Sequence, residues 1–253
     1  MATEAAPKAF SAVADRLGAS DQPGEAIRIE GLVRRFGERE ALAGVSAGLA
    51  RGQTLAVLGR NGAGKTTLLR VLATLLLPHG GSTSVLGLEL PHESHRLRAR
   101  IGMLGHETLL YRDLTARENL GFYARLYGVP GADARIAELL EATGMARRAE
   151  EPVWNLSRGM AQRVAVCRAV LHGPELLLLD EPHAHLDPEA AALVEPLIGR
   201  AAGVTRVLVS HDPERATAEA DRVLGLRDGR VVVDAPAGEV TAASLDAVYG
   251  GPR

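Results

Sequence analysis

The chain has 253 residues, 46% hydrophobic and 24% charged, which is the balance of a globular protein with a sizeable core. The net charge of −2 and the 3% of aromatic residues argue against a protein that binds duplex or single-stranded nucleic acid, so no nucleic-acid partner is predicted. The single cysteine, Cys167, cannot form an internal disulfide, which indicates a reducing compartment.

The N-terminal segment is predicted to be a disordered leader. Residues 1–25 contain Glu4 and no sustained apolar run, which makes them a poor signal peptide. Further along, the longest apolar stretches are residues 71–77 and 176–179. Both are shorter than the roughly 18 apolar residues of a membrane span. A role at a membrane would therefore need another chain to cross it.

Predicted strands alternate with predicted helices. Residues 54–59, "TLAVLG", are apolar and end in glycine, which is typical of a buried strand. A helix is predicted over residues 65–77, before Pro78. Two more buried strands are predicted over residues 175–182 and 206–212. The alternation implies a parallel sheet covered on both faces.

The middle of the chain is predicted to be helical. Thr115 and Glu118 match a capping box that opens one helix. A second helical pattern covers residues 131–144, and Ser157 can cap a third helix. These elements predict a helical lobe inserted at about residues 107–172.

The C-terminal part begins with a predicted hairpin. Residues 222–236 form two apolar runs that turn at Asp228 and Gly229. We expect one domain over residues 26–235, followed by a short tail of residues 236–253.

Residues 59–66, "GRNGAGKT", match the phosphate-loop pattern G-x-x-x-x-G-K-[ST] in full. The glycines allow backbone N–H groups to surround phosphates, and the N-terminus of the next helix favours anions. Lys65 would pair with the β- and γ-phosphates, and Thr66 would offer a hydroxyl to Mg²⁺. A chance glycine turn is the alternative, but the flanking strand and helix argue against it. The predicted nucleotide-binding residues follow the motif: Gly59, Arg60, Asn61, Gly62, Ala63, Gly64, Lys65, Thr66 and Thr67.

Two acidic residues close the predicted strand "LLLLDEP". Asp180 stands at the carboxyl end of that strand, where ligands of α/β sheets bind, and its carboxylate suits Mg²⁺. Glu181 could hold the attacking water as general base. An acidic pair at a strand end is often only a solvated turn, but the phosphate loop favours a catalytic site.

The segment "LSRGM", residues 156–160, resembles the signature of ATP-binding cassette (ABC) ATPases, usually LSGGQ, with Arg158 and Met160 as departures. "GRNGAGKT", "LLLLDEP", "HLD" and "VSHD" follow the order of that family, and the resemblance covers residues 27–234. It implies an α/β fold: a P-loop NTPase core with a mostly parallel sheet, an N-terminal antiparallel β part and an inserted helical lobe. It also implies ATP hydrolysis, with ATP and Mg²⁺ bound.

The resemblance assigns further roles. Phe36 stands where an aromatic ring stacks on adenine. Ser157 and Gly159 would contact the γ-phosphate held by a second subunit, as a helix N-terminus favours. Asp187 belongs to the loop that touches the opposite subunit, and His211 would contact the γ-phosphate and position the water. A second cassette, in a homodimer, is therefore an expected partner.

His106 stands where the family normally has glutamine in a loop that couples to the membrane subunit, although a one-residue slip would put Glu107 there. Imidazole is a poorer magnesium ligand than an amide oxygen, so the loop could keep its coupling role without that contact. "LGH" and "LSRGMAQR" also resemble segments of the ATP-binding subunit of the haem exporter of cytochrome c maturation.

We therefore predict an ABC transporter ATPase at the cytoplasmic face of the membrane, which energises a separate membrane-spanning subunit for haem export. One alternative is an exporter ATPase for drugs or lipids. Another is a soluble cassette protein that acts on ribosomes or DNA. A chain of 253 residues with one cassette argues against this last class of protein.

His183 and His185 form an H-x-H pair without further predicted metal ligands, and Cys167 is predicted to be a packing residue.

Overall fold

The computed structural model describes residues 24–250, which form two compact units. Residues 24–106, 176–182 and 204–250 form the core unit. Glu107–Glu175 and His183–Gly203 form the helical unit. The predicted disordered leader lies outside the described residues except for its last two positions, and the first strand begins at Glu25.

The core unit contains two sheets. Within the described residues its strands are β1 Glu25–Phe36, β2 Arg39–Ala50, β3 Thr54–Leu58, β4 Gly80–Val85, β5 Leu88–Leu90, β6 Ile101–Leu104, β7 Leu176–Asp180, β8 Thr205–Val209, β9 Arg222–Arg227 and β10 Arg230–Pro236. The first sheet, in the order β2-β1-β4-β5, is antiparallel. The second has the order β10-β9-β3-β8-β7-β6 and is parallel except at β9–β10. The predicted mostly parallel core and N-terminal antiparallel part are confirmed.

Eight α-helices are present in residues 24–250. They are α1 Lys65–Leu72, α2 Ser94–Leu97, α3 Ala116–Tyr127, α4 Ala132–Ala142, α5 Arg158–Val170, α6 Pro188–Ile198, α7 Pro213–Glu219 and α8 Ala242–Tyr249. The core unit contains α1, α2, α7 and α8, and the helical unit contains α3 to α6. Helix α6 belongs to the helical unit although it comes after β7 in the chain. None of the helices in the described range is long and apolar enough to cross a bilayer.

Burial explains the central strands of the parallel sheet. Every residue of β3, β7 and β8 is buried. A strand covered on both faces is mostly apolar, because neither face meets water. The apolar runs are Leu55–Leu58, Leu176–Leu179 and Val207–Val209, and the three strands bring their carboxyl ends to one edge of the sheet.

Helix α1 ends earlier than predicted. Its last residue is Leu72 rather than residue 77, and Thr74 adopts the left-handed conformation with φ 61°. The Thr74 N–H donates to Val71 O and the Leu75 N–H to Arg70 O, which is the hydrogen-bond pattern of a Schellman cap. Glycine usually occupies the left-handed position of such a cap. Here Thr74 occupies it, and the apolar sequence of residues 71–77 contains no glycine that would predict the end of the helix at Leu72.

The predicted helix starts of the helical unit are confirmed. The Glu118 N–H donates to Thr115 Oγ1, and the Thr115 N–H donates to Glu118 Oε2, which completes the capping box at α3. The Ser157 hydroxyl oxygen caps α5 by accepting from the Met160 N–H at 3.2 Å. These bonds satisfy backbone donors that a helix leaves unpaired in its first turn.

The C-terminal region contains the predicted hairpin and one helix that the sequence did not predict. Strands β9 and β10 pair around Asp228 and Gly229, both at positive φ, which confirms the turn. Helix α8 then occupies residues that were expected to be only a short tail. It contacts β9 and β10.

Candidate functional site

The phosphate loop, residues 59–66, connects the end of β3 to the start of α1 in the core unit. Gly59, Gly62 and Gly64 all have positive φ. A Cβ on Gly64 would lie 2.5 Å from Ala41 O. The loop therefore needs glycine at this position because its backbone runs directly against β2.

Lys65 turns back over the loop that precedes it. Its ammonium group donates to Gly59 O at 2.7 Å and to Arg60 O at 3.1 Å. Burial lowers the pKa of Lys65 from its usual value, and the carboxylates of Glu181 and Asp180 act in the opposite direction. The Lys65 ammonium group is thus held by backbone carbonyls of the loop and lies near Asp180 and Glu181. A cation at this place can bind the phosphates of a nucleotide.

Thr66 and Asp180 meet at the edge of the parallel sheet. The Thr66 hydroxyl donates to Asp180 Oδ2 at 2.9 Å. Asp180 is 6% exposed because it ends the buried strand β7. One hydroxyl and one buried carboxylate are hard oxygen donors, which fits Mg²⁺ held jointly with phosphate oxygens.

Glu181 and His211 form a second polar pair in the core unit. The Glu181 backbone has φ 52°, and its N–H donates to Val209 O at the end of β8. His211 follows β8 by two residues, and its Nδ1 lies 2.6 Å from Glu181 Oε2. The imidazole is 81% exposed and the carboxylate 26%. Glu181 can therefore meet a water molecule while its orientation is set by backbone and imidazole.

A cavity of about 500 Å³ opens beside the phosphate loop. Phe36 on its wall is 48% exposed. The guanidinium of Arg34 lies 4.8 Å from the Phe36 ring centroid and donates to Leu77 O. The cavity has the size of a small-molecule site and combines an aromatic ring with the phosphate loop, as a nucleotide requires. Its lining residues are Phe36, Arg39, Ala41, Asn61, Gly62, Gly64, Lys65, Thr66 and Thr67.

Sequence reasoning missed Arg39 as part of this cavity. Its guanidinium donates to Gly62 O at 3.0 Å, which fixes it beside the phosphate loop. A single arginine three residues after Phe36 matches no motif. The pairing of β1 with β2, in which Phe36 lies opposite Arg39, brings it there.

The signature residues lie in the helical unit, at the start of α5. Ser157 is the N-cap, and Gly159 lies in the first turn. A Cβ on Gly159 would lie 2.8 Å from His185 O, so glycine lets the loop of residues 183–187 approach the helix closely. The Asp187 side chain caps α6 by accepting from the Ala190 N–H at 2.8 Å. The signature helix and the "HLD" loop therefore lie against each other within this unit.

The remaining predicted residues have simpler surroundings. His106 is exposed and follows β6, where Leu104 pairs with Leu179, so it leaves the sheet at the same edge as Asp180. His183 Nε2 lies 3.1 Å from Glu195 Oε2. No group of three or more His, Cys, Asp or Glu side chains in residues 24–250 is arranged to hold a metal ion. Cys167 is fully buried in α5, as expected of a packing residue.

Several known proteins are similar to this chain in sequence and in fold. The family model described as ABC transporter matches residues 42–184. The daunorubicin resistance ATP-binding protein DrrA3 of Streptomyces coeruleorubidus is 40% identical over 234 residues, which are 90% of this chain and 72% of that protein. The phosphonates import ATP-binding protein PhnC of Anaeromyxobacter dehalogenans is 38% identical over 91% of this chain and 49% of that protein.

The similarity extends to a solved dimeric ATP-binding cassette in a post-hydrolysis state bound to ADP and Pi. It is 25% identical, with a TM-score of 0.76 over 83% of this chain and 98% of that chain. The family match covers more than half of this chain and includes the phosphate loop, Asp180 and Glu181. With the arrangement of those residues in the core unit, it identifies the chain as an ATP-hydrolysing member of the ABC transporter ATP-binding family.

Proposed function

We propose that this chain is the ATP-hydrolysing subunit of an exporter and drives a separate membrane-spanning subunit from the cytoplasmic face. The observation that supports this most directly is the arrangement around the phosphate loop. The Thr66–Asp180 pair and the Glu181–His211 pair both lie in the core unit, at the carboxyl ends of parallel strands. Such an edge is where open α/β sheets bind their ligands.

Each of the site residues in the core unit then has a role in hydrolysis. Lys65 and the loop N–H groups bind the β- and γ-phosphates, and Phe36 stacks on adenine. Thr66 and Asp180 hold Mg²⁺, which neutralises charge on the phosphates when bound. Glu181 takes the proton of the attacking water as general base, and His211 orients that carboxylate and contacts the γ-phosphate.

The site is completed by a second copy of the chain. Ser157 and Gly159 stand at the N-terminus of α5, whose positive dipole end attracts a γ-phosphate bound by the partner. Asp187, in the loop after His185, would lie at the same interface. The similar solved cassette is dimeric, which supports this assembly.

Different observations support two classes of transported substrate for this exporter. Haem is favoured by the "LGH" segment that ends at His106 and by "LSRGMAQR", because both resemble the haem exporter of cytochrome c maturation. A drug is favoured by the resistance protein that is 40% identical. An import protein at 38% identity shows that identity alone does not fix the direction of transport. We retain haem export as the primary proposal and drug export as its alternative.

Deletion of the gene in its host separates the two cargoes. Loss of covalently bound haem from c-type cytochromes, restored by the wild-type chain but not by Glu181→Gln, supports haem export. Normal cytochromes with increased sensitivity to an anthracycline would replace that proposal by drug export. Equal growth, cytochrome content and drug sensitivity in deletion and parent strains would contradict both.

His106→Gln tests the coupling loop. Because His106 is exposed and a poor magnesium ligand, we expect the variant to retain ATPase activity within about twofold. Transport would be measured in the same membranes. A loss of ATPase activity by more than about tenfold would show that His106 takes part in hydrolysis itself.

A further inference from the structure

The C-terminal helix α8 ends against the first residue of the phosphate loop. The Gly59 N–H donates to the hydroxyl oxygen of Tyr249, with an N···O distance of 3.4 Å. The Gly59 carbonyl accepts from Lys65 Nζ at 2.7 Å. Tyr249 and Lys65 therefore hold the two backbone polar groups of one glycine. We infer that Tyr249 is a positioning residue that fixes the start of the phosphate loop for nucleotide binding.

Gly59 is a position at which the loop needs such a contact. Its φ of 154° lies in the region that favours glycine. A Cβ would lie 2.5 Å from Leu226 O and 3.0 Å from Ala63 Cβ, so no side chain can anchor this residue. Glycine also leaves the backbone freer than other residues do. Hydrogen bonds to the N–H and C=O of Gly59 are therefore the polar contacts that can hold its backbone in place.

Helix α8 is itself firmly attached to the core unit, so it can hold Tyr249 in position. The Arg227 guanidinium donates to Ala247 O at 3.0 Å and to Gly250 O at 3.2 Å. Val248 is 1% exposed and lies against Gly225 of β9, where there is no room for a Cβ. A glycine in the strand and an arginine at its end thus dock the last turn of α8.

The hairpin that precedes α8 supports the same loop from another side. The Gly229 N–H donates to Ala63 O at 3.1 Å, and the Gly229 carbonyl accepts from the Ala43 N–H at 2.8 Å. The β9–β10 turn and α8 thus each contribute one hydrogen bond to the phosphate loop. The C-terminal residues behave as a support for the loop rather than as a free tail.

The surroundings of the Tyr249 hydroxyl keep it in the neutral form. Burial raises the pKa of Tyr249 above its usual value, and the carboxylates of Glu181 and Asp212 also raise it, while the hydrogen bond from the Gly59 N–H lowers it by less than burial raises it. A neutral phenol accepts from the Gly59 N–H without placing a negative charge beside the bound phosphates.

Tyr249→Phe in the full chain tests the inference, because it removes the hydroxyl and keeps the ring. We expect the Kd for MgADP and the KM for ATP both to rise about threefold to fivefold, the effect of losing one neutral hydrogen bond. The kcat should stay within about twofold, because Glu181 and His211 are untouched. The unfolding temperature of the nucleotide-free protein should fall by no more than about 4 °C, as expected for the loss of one hydrogen bond in a domain of this size.

Tyr123→Phe is the matched control. Tyr123 is also partly buried and also bonds a backbone group, since its hydroxyl donates to Leu109 O in the helical unit. This control should bind nucleotide as the wild type does. Arg227→Gln, which releases the end of α8, should weaken nucleotide binding in the same direction as Tyr249→Phe. The Kd for MgADP of the double variant should rise by less than the product of the two single increases, because both changes remove the same hydrogen bond between Tyr249 and Gly59.

Two results would overturn the inference: a Kd for MgADP that is unchanged in Tyr249→Phe, or an increase that Tyr123→Phe reproduces. The inference rests on the proposed phosphate-binding role of residues 59–66, and Lys65→Ala tests that role separately. If Lys65→Ala abolishes MgADP binding while Tyr249→Phe has no effect, only the role of Tyr249 fails. If Lys65→Ala binds MgADP normally, the proposed nucleotide site itself is wrong.

Discussion

The Nδ1 atom of His211 lies 2.6 Å from Oε2 of Glu181, across the carboxyl ends of the neighbouring strands β8 and β7. The two residues are 30 positions apart in the chain. The Glu181 N–H also donates to Val209 O, so the backbone and the side chain of Glu181 are both fixed from the β8 side. A carboxylate held in this way needs little reorganisation before it accepts a proton from water.

Glu181→Gln should reduce kcat for ATP hydrolysis by about 10²-fold or more, because the amide cannot act as a general base. ATP binding should persist, and the variant should form an ATP-dependent dimer, which light scattering would detect. Wild type with ADP is the control and should stay monomeric. A variant that is monomeric in saturating MgATP at every protein concentration would contradict the composite site.

His211→Ala should also reduce kcat, because it leaves Glu181 without its side-chain partner. The combined variant with Glu181→Gln should be no slower than Glu181→Gln alone, since residues that act as a unit are strongly non-additive. Steady-state kinetics on the four proteins of this cycle would measure the coupling. Additive losses would show that the 2.6 Å contact has no part in hydrolysis.

Thr66→Ala should raise the Mg²⁺ concentration needed for half-maximal activity by about tenfold, because it removes one of the two proposed oxygen ligands. Thr66→Ser retains the hydroxyl and should restore the wild-type requirement. Titration of ATPase activity with MgCl₂ at fixed ATP gives the comparison. If the serine variant is as defective as the alanine variant, the hydroxyl is not the relevant group.

Trp154 should report closure of the dimer. Its side chain is 57% exposed and lies three residues before Ser157. In the Glu181→Gln background its emission should change with MgATP and much less with MgADP, because only ATP supplies the γ-phosphate that Ser157 and Gly159 would contact. Ser157→Arg should abolish this change while leaving ATP binding intact. A change that persists in Ser157→Arg would argue against a trans contact.

Cys167 should be unreactive in the folded protein. Burial raises the pKa of its thiol to about 11, so the thiol stays protonated well above neutral pH. A thiol reagent at pH 8 should label the denatured chain and leave the native one unlabelled.

The same thiol links stability to pH. Because its native pKa exceeds the usual 9.0, the native state binds this proton more tightly than the unfolded state. This contribution to stability is therefore complete below pH 9 and is lost as the pH rises towards 11. Rapid labelling of native protein would show that α5 opens.

Local sequence determined the elements that carry the chemistry. The run "TLAVLG" before "GKTT" predicted β3, the phosphate loop and the start of α1, because apolar burial and glycine geometry act over a few residues. The Thr115–Glu118 capping box, the Ser157 cap and the Asp228–Gly229 turn are also short-range, and all three are present. The sequence does not predict the end of α1 at Leu72, because its cap places Thr74 in a left-handed conformation that glycine usually adopts.

Tertiary structure alone decided several side-chain contacts of the nucleotide site that no motif predicts. Arg39 reaches Gly62 through the pairing of β1 with β2, and Tyr249 reaches Gly59 because α8 docks on β9. The partner of His211 was likewise set by the pairing of β7 with β8. No local pattern encodes these contacts. Their cause is the burial of apolar strand faces, which fixes strand order and thereby brings chain segments up to 190 residues apart within hydrogen-bonding distance.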